Sequence, residues 1–568
     1  MQYSDISLFL DVHMIYNFAV NSNDDEITMV LKVDEEVEIW RYSLEKKQIS
    51  KIVTLNNKCY SILVDVNDRL YVTVDDNGNE NRRLLILNKN SNIFKNAGGE
   101  HVNYIGLIYD EDEGKIYFSN NKNKFSIEER NLLEKESKTL LEDTKPIYLL
   151  TKFKDKMVYL KHLKNSHRIA YFYSNGEKYP LIKDDKNEFL INDVEFVGED
   201  KIYFASNYLG EYSNLYIFYT KTKVAEKILE INKEDIKAIY KFDNQTLLLK
   251  TVNKTEEFLY FYNTVTGNLV NINSPITNIA KVIVRENKIY ILGDSASIPP
   301  NIFKYSNGQW DNLTKFRTDY KLVKPQKVMI KSIDNLIFES LYYKNANKSE
   351  NAIIWLHGGP QSIEKNYFCG YHQFFIKNGF DIITPNFRGS KGYGSEFMKK
   401  VEGNWLAPII DIRATIEFLI RNRYKNIVLM GASYGGYLAL MTDIETHYKE
   451  VKCSINLYGP TDLIHFIMNA PARMRYSLNK WIGDIETEKE RLCNESPAYR
   501  FHEARNPILN IYGENDPRVK YKEDKDRIKS SLINDIVIAG EGHGVSRKNS
   551  EIKVYNSIYQ FIQKSISK

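Results

Sequence analysis

The chain has 568 residues, which implies roughly two to four domains, and its 43% hydrophobic and 27% charged residues are those of a globular protein. Lys+Arg 78 against Asp+Glu 74 leaves a net charge of +4 with no long basic run, so neither nucleic acid nor an anionic membrane is called for as a partner. Cys59, Cys369, Cys453 and Cys493 are far apart, which argues against a zinc site or a disulfide framework.

The first residues, Met1-Gln-Tyr-Ser-Asp-Ile, lack a secretory pattern, and no stretch reaches the ~20 apolar residues that span a bilayer. A reduced, cytoplasmic setting is therefore expected. Residues 1–20 either begin the first domain or pack back on the second.

Up to about residue 315, short runs rich in Tyr, Ile, Val and Phe alternate with Asn, Asp, Gly and Lys clusters, as in all-β proteins. One strand type recurs at Tyr71, Tyr117, Tyr159, Tyr203, Leu248 and Tyr290, at spacings of 46, 42, 44, 45 and 42, with Ile27–Val33 one period earlier. A second strand follows each anchor, as at Leu84–Leu87, Ile169–Phe172 and Ile302–Tyr305. A period in the 40s carried by short strands predicts a β-propeller, one blade per period and seven blades in all, over residues 1–315. A β-sandwich is the alternative.

From about residue 320 to 568 the rhythm becomes one of alternating strands and helices, which predicts an α/β-hydrolase domain. Lys324–Tyr343 opens it with antiparallel strands. Ala352–Leu356, Asp381–Thr384, Asn426–Met430, Cys453–Leu457, Ile508–Tyr512 and Ile536–Ala539 are short, apolar and β-rich, and amphipathic runs such as Ile409–Arg421 lie between them.

Gly431-Ala-Ser433-Tyr-Gly435 follows one of these strands and precedes a helix-like run, the context of a nucleophile elbow. A serine hydroxyl needs a base, and the base an orienting acid, in the chain order Ser, acid, His on this fold. Asp516 follows the strand Ile508–Tyr512, and His543 follows Ile536–Ala539. Both sit at the carboxyl ends of strands, where sites of open α/β sheets assemble. Ser433, Asp516 and His543 are thus the expected catalytic triad. The rival histidines His447, His465 and His502 follow no strand into a glycine-flanked loop; Glu514 and Asp443 are the rival acids. His357-Gly-Gly359-Pro360, directly after Ala352–Leu356, offers backbone N–H groups to an oxyanion, with the Tyr434 N–H as the second donor. His357 itself is expected to be structural.

The series HGGP (357–360), NFRGSKGYG (386–394), GNW (403–405), GASYGGY (431–437), SPAY (496–499), GENDPRV (513–519) and GEGHG (540–544) resembles the prolyl oligopeptidase family of serine peptidases, most closely its acylaminoacyl-peptidase-like branch. The resemblance implies a propeller that restricts access to short peptides, and a triad of Ser433, Asp516 and His543. It implies Gly359 and Tyr434 as the oxyanion hole, Arg518 holding a substrate carbonyl, and Val519 in the pocket before the scissile bond. It implies neither metal nor organic cofactor. No tyrosine follows HGGP, so the hydroxyl donor of the prolyl-specific branch is not evident. Leu-Ala-Pro after Trp405 and the short span from Asp516 to His543 depart from the family pattern. Phe466–Trp481, with Met468, Met474 and Tyr476, is a candidate pocket lining, with ordinary packing as the alternative.

The expected activity is hydrolysis of short peptides through an acyl-enzyme. An esterase, thioesterase or acyl-transfer enzyme with the same triad, or a dedicated peptide-maturation protease, is the alternative. A silent scaffold is disfavoured by the intact triad and oxyanion elements. Whether the chain acts as exo- or endopeptidase stays open at this stage. So does assembly into a homo-oligomer, for which the propeller rim and the hydrolase surface are both candidate faces.

Overall fold

Seven four-stranded antiparallel sheets follow one another along the first half of the chain: Met14–Leu55, Cys59–Asn96, Ile105–Asp143, Ile147–Pro180, Ile191–Leu229, Asp235–Asn271 and Asn278–Asn312. They are the seven blades that the repeat implies. The computed structural model describes residues 5–567, apart from 11, 34–35, 56, 77, 90, 100–101, 122–123, 133, 135, 472–473, 476–477, 479–480 and 522–531. Every anchor of the repeat lies on the second strand of its blade and is at most 2% exposed.

Burial explains the anchors' apolar character, and the turns explain why several are tyrosines. The hydroxyls of Tyr71, Tyr117 and Tyr290 donate to Asp65, Glu113 and Asp24 at 3.4, 2.5 and 2.9 Å, so each ring packs while its polar tip is satisfied. Each neighbouring pair of blades encloses one apolar cluster. Blade 7 meets blade 1 in the same way, through Tyr290, Leu292 and Ile302 against Ile15 and Phe18. Among the described residues no strand is exchanged between these two blades, so the ring closes by packing rather than by a shared sheet.

The second half forms one eight-stranded sheet from Gln326–Lys331 (β1), Ile337–Tyr343 (β2), Asn351–Leu356 (β3), Phe380–Pro385 (β4), Asn426–Ala432 (β5), Val451–Leu457 (β6), Ile508–Gly513 (β7) and Ile533–Ile538 (β8). Its order is β1-β2-β4-β3-β5-β6-β7-β8. The pairs β1–β2 and β2–β4 are antiparallel, and all others are parallel.

Two apolar cores sandwich this sheet. One includes Ile409–Arg421 and Tyr434–Glu445; the other includes Gly370–Lys377 and the last helix, Lys548–Ile566. The short helix Ser7–Leu10 belongs to the second core: Phe9 packs on Tyr320 and Phe374, at ring distances of 4.6 and 6.0 Å. Residues 5–10 therefore pack on the hydrolase sheet before the chain enters the propeller. Among the described residues no helix is long and apolar enough to cross a membrane.

The Arg388 side chain explains the NFRG stretch. Its guanidinium reaches Asp411 at 2.7 and 3.0 Å and Asp334 at 2.9 and 3.0 Å, neutralising the fully buried Asp411 at the start of the helix Ile409–Arg421.

Candidate active site

Strand β5 ends at Ala432, and the helix Tyr434–Glu445 starts two residues later, which leaves Ser433 alone to turn the chain. It does so at φ 55° and ψ −120°, a conformation costly for a residue with a Cβ. Its N–H donates to Leu457 O on β6 at 2.7 Å, which anchors the turn to the sheet. A Cβ on Gly435 would stand 1.9 Å from Leu356 O on β3, so only glycine lets the helix start this close to the sheet.

The three predicted triad residues come together although up to 110 positions separate them. His543 Nε2 lies 3.0 Å from Ser433 Oγ, and His543 Nδ1 lies 2.7 Å from Asp516 Oδ2. The other carboxylate oxygen, Asp516 Oδ1, accepts from the N–H groups of Arg518 and Val519 at 2.8 and 3.1 Å. With the Asp516 side chain 1% and the His543 side chain 10% exposed, little water competes for these bonds. The acid loop and the histidine loop also join by backbone, Asn515 N–H to Glu541 O at 2.8 Å.

Glu541 had no assigned role in the motif GEGHG. Its buried carboxylate accepts from the Ser546 N–H and hydroxyl and from Arg547, so it folds the segment after His543 back on itself. Burial alone would raise its pKa, but these bonds outweigh burial and hold it below the usual carboxylate range.

His357 is held between Gly358 O at 2.7 Å and Ser390 Oγ at 2.8 Å, and its ring stacks on Phe387. Burial pushes its pKa down to about 4, so it is a neutral member of the turn. A Cβ on Gly358 would lie 3.3 Å from Ser433 Cβ, which puts the HGGP turn beside Ser433. Tyr434 heads its helix, where an N–H has no partner inside the helix. The Tyr434 side chain points away into the core, its hydroxyl donating to Trp405 O at 2.5 Å and its ring against the Trp405 indole.

The rivals lie elsewhere. His447 and His502 are exposed, His465 sits on the helix Leu463–Asn469, Asp443 accepts from Asn506 at 2.6 Å, and Glu514 accepts from Gly540 N–H at 2.8 Å. In the candidate pocket stretch, Phe466 and Trp481 are core residues beside Trp405, Met474 packs against that core, and Met468 faces solvent. Tyr476 lies outside the described residues.

Val519 is buried in the same core. Arg518 is not free: its guanidinium donates to Glu80 Oε1 at 2.7 Å, across from blade 2. Its Nε is buried with no hydrogen-bond partner among the described residues. Burial lowers its pKa, against the opposing pull of Asp516 and Tyr60. Beside this pair, a Cβ on Gly78 would come within 3.0 Å of Gly542 Cα, next to His543. One propeller loop thus touches both catalytic loops. Glu80 escapes sequence reasoning because nothing in the blade repeat marks it.

The profile of the Prolyl oligopeptidase family matches residues 366–568, which contain every residue of the candidate triad. Residues 366–568 are a prolyl oligopeptidase family domain. Dipeptidyl aminopeptidase BIII of Pseudoxanthomonas mexicana is 27% identical over 303 residues, 48% of this chain and 44% of that protein. Dipeptidyl peptidase family member 6 of Caenorhabditis elegans is 29% identical over 233 residues, 38% of this chain and 31% of that protein. The matches thus span less than half the length of these curated relatives. Among solved structures, that of a puromycin hydrolase superimposes with a TM-score of 0.88 at 15% identity, covering 99% of this chain and 96% of that one. At that identity the likeness concerns the fold, propeller and family domain together.

The Glu80–Arg518 contact leads to a specific expectation. Glu80→Gln keeps an acceptor but removes the charge that draws Arg518 toward the propeller. If Arg518 holds a substrate carbonyl, as the sequence resemblance implies, KM for peptides should rise roughly fivefold, the worth of about 1 kcal/mol of lost hydrogen-bond strength, with kcat nearly unchanged. Steady-state kinetics on a peptide and on a small ester check it; the ester, with no second carbonyl for Arg518, should not respond. An unchanged peptide KM would remove Glu80 as a positioning residue.

Proposed function

We propose that the chain is a serine peptidase that hydrolyses short peptides through an acyl-enzyme. The reading rests above all on the relay from Ser433 Oγ through His543 to Asp516, at 3.0 and 2.7 Å. Ser433 Oγ attacks the scissile carbonyl carbon while His543 Nε2 takes the hydroxyl proton. Asp516 accepts the Nδ1–H bond throughout, fixes the tautomer and stabilises the imidazolium.

The negative oxygen of the tetrahedral intermediate faces the backbone N–H groups of Tyr434 and Gly359. Collapse breaks the C–N bond, and the amine leaves with the proton from His543. A water molecule, deprotonated by the same ring, then releases the acyl group. Arg518, at the mouth of the site, holds a substrate carbonyl with a guanidinium N–H that Glu80 does not take, and Val519 backs the pocket before the scissile bond.

Ester, thioester or acyl-transfer chemistry needs the same triad. Peptides are favoured because a propeller loop reaches the catalytic loops and Arg518 adds a donor beyond the triad. The test is a panel of chromogenic substrates with wild type and Ser433→Ala. It holds free and N-acylated aminoacyl, X-Pro and longer blocked peptides, and a p-nitrophenyl ester. Cleavage of a peptide amide by wild type alone supports the peptidase reading, and the best substrate tells exo- from endopeptidase action. Cleavage of the ester alone replaces it with an esterase.

A further inference from the structure

A cavity of about 380 Å³ opens beside the HGGP turn, lined by Trp355, Gly358, Ser362, Glu364 and Lys365 of the catalytic domain and by Asn278 of blade 7. It reaches the candidate triad at Gly358, where a Cβ would stand 4.0 Å from Ser433 Oγ. Its position relative to the sheet decides which part of a substrate it can take. Val519, Phe466 and Trp405 lie in the core on one face of the sheet, and Trp355 lies in the core on the other. A substrate that sets its acyl side against Val519 and crosses the sheet edge at Ser433 continues toward this cavity with its leaving side.

Most polar groups of the wall are already engaged. Lys365 Nζ donates to Glu257 at 2.8 Å and to Asn278 at 3.2 Å, and the Asn278 NH2 donates to Asp294 at 3.0 Å. His357, next to Gly358, is held at both ring nitrogens. Glu364 differs. It is 4% exposed, and its Oε1 has no hydrogen-bond partner among the described residues. Its backbone is pinned: its N–H donates to Asn386 Oδ1 at 2.8 Å, and the Asn386 NH2 donates back to its carbonyl at 3.1 Å.

The neighbouring charges do not match Glu364 either. Glu257 is paired with Lys365 and Lys250 at 2.8 and 3.2 Å, so both lysines already face a carboxylate. Asp294 accepts from the Phe368 N–H at 2.8 Å besides Asn278. The titratable groups packed around Glu364 are Tyr343, Tyr367, Cys369 and Tyr371, which burial pushes up, so they carry no charge at pH 7. Burial pushes Glu364 itself up to about 8, although the Tyr367 hydroxyl and the Trp355 indole favour its charged form. A carboxyl kept protonated in this way ionises when a cation arrives beside it. An unpaired carboxyl oxygen is costly in the wall of a cavity, and a ligand that pairs it removes the cost.

We propose that the cavity is a subsite for the leaving side of the substrate, where Glu364 selects a basic residue, Lys or Arg, after the scissile bond. The ammonium or guanidinium group donates to Glu364 Oε1, and the carboxyl proton passes to solvent as the cation enters, so one positive charge replaces another. That the cation belongs to a leaving peptide rests on the peptidase reading above; the cation subsite does not.

Calorimetry on wild type at pH 7 compares argininamide with norleucinamide, which share an α-amine and differ in the side-chain cation. Argininamide should bind roughly tenfold tighter, the effect of one charge-assisted contact, and should release more protons, read from the dependence of the binding heat on the buffer. Glu364→Gln keeps the shape of the protonated acid. It should erase both the preference and the extra proton and leave the norleucinamide affinity unchanged. It should also react with a fluorophosphonate at the wild-type rate, which shows that the site is folded. During turnover of a cleaved acyl donor, argininamide should intercept the acyl-enzyme roughly tenfold better than norleucinamide, which puts the cation on the leaving side. Equal binding of the two amides, a preference that survives Glu364→Gln, or equal interception overturns the proposal. If argininamide binds as expected but wild type cuts no peptide, the cation subsite stands and the peptidase reading falls.

Discussion

Asp516→Asn should lower kcat by about 10,000-fold, and Ser433→Ala by about a million-fold, with KM little changed in either. The asparagine value follows from the direction of every bond at the acid. Asp516 Oδ1 faces two donors, the N–H groups of Arg518 and Val519, and Oδ2 faces His543 Nδ1. An asparagine must turn its oxygen to the two backbone donors, since its NH2 there would meet N–H against N–H. Its NH2 then donates to His543 Nδ1, which drives the ring proton onto Nε2. The ring would thus point a proton at Ser433 Oγ, 3.0 Å away, where the reaction needs a lone pair.

Single-turnover and steady-state kinetics on one cleaved peptide check both values. The double variant should be no slower than Ser433→Ala alone, because the acid acts only through the pair it orients. An Asp516→Asn enzyme within tenfold of wild type would mean another group orients the base, and the chemistry would need a different acid.

Much of the architecture was legible because local chemistry repeats. A blade cannot bury its faces alone, so each period must present an apolar anchor. Tyr71, Tyr117, Tyr159, Tyr203, Leu248 and Tyr290 do so, all on equivalent strands. The candidate triad was legible for a related reason: each member follows a strand into a glycine-bearing turn, a local mark of a site assembled at one sheet edge.

What stayed hidden has no local mark. Glu80 meets Arg518 across 438 positions, and its surroundings in the chain are those of any polar blade turn. The helix Ser7–Leu10 is too short for periodicity to signal, so the docking of Phe9 on the catalytic sheet could not be told from a first propeller strand. The stretch Phe466–Trp481 shows the reverse case. Apolar residues at helical spacing serve a pocket or a core equally well, and Phe466 and Trp481 are in the core.

Gly435→Ala should cost about 3 kcal/mol or more and lower the melting temperature of the catalytic domain by roughly 6–12 °C. The added methyl would stand 1.9 Å from Leu356 O, 2.5 Å from Leu356 C and 2.8 Å from His357 O. All three atoms are backbone, and they belong to β3 and the turn after it. A side chain could rotate away, but β3 is paired with β4 on one edge and β5 on the other, so it cannot retreat without breaking a ladder. The helix must lift instead, and Ser433, two residues back, moves with it. Its Oγ then leaves the position 3.0 Å from His543 Nε2, and the Tyr434 N–H shifts against the HGGP turn. A displacement of this kind costs about a hundredfold in rate even where the fold survives. Thermal unfolding and the rate of fluorophosphonate labelling read the two effects separately. Unchanged melting with normal labelling would show that the helix does not approach β3 this closely, and the explanation given for the strained Ser433 turn would fail with it.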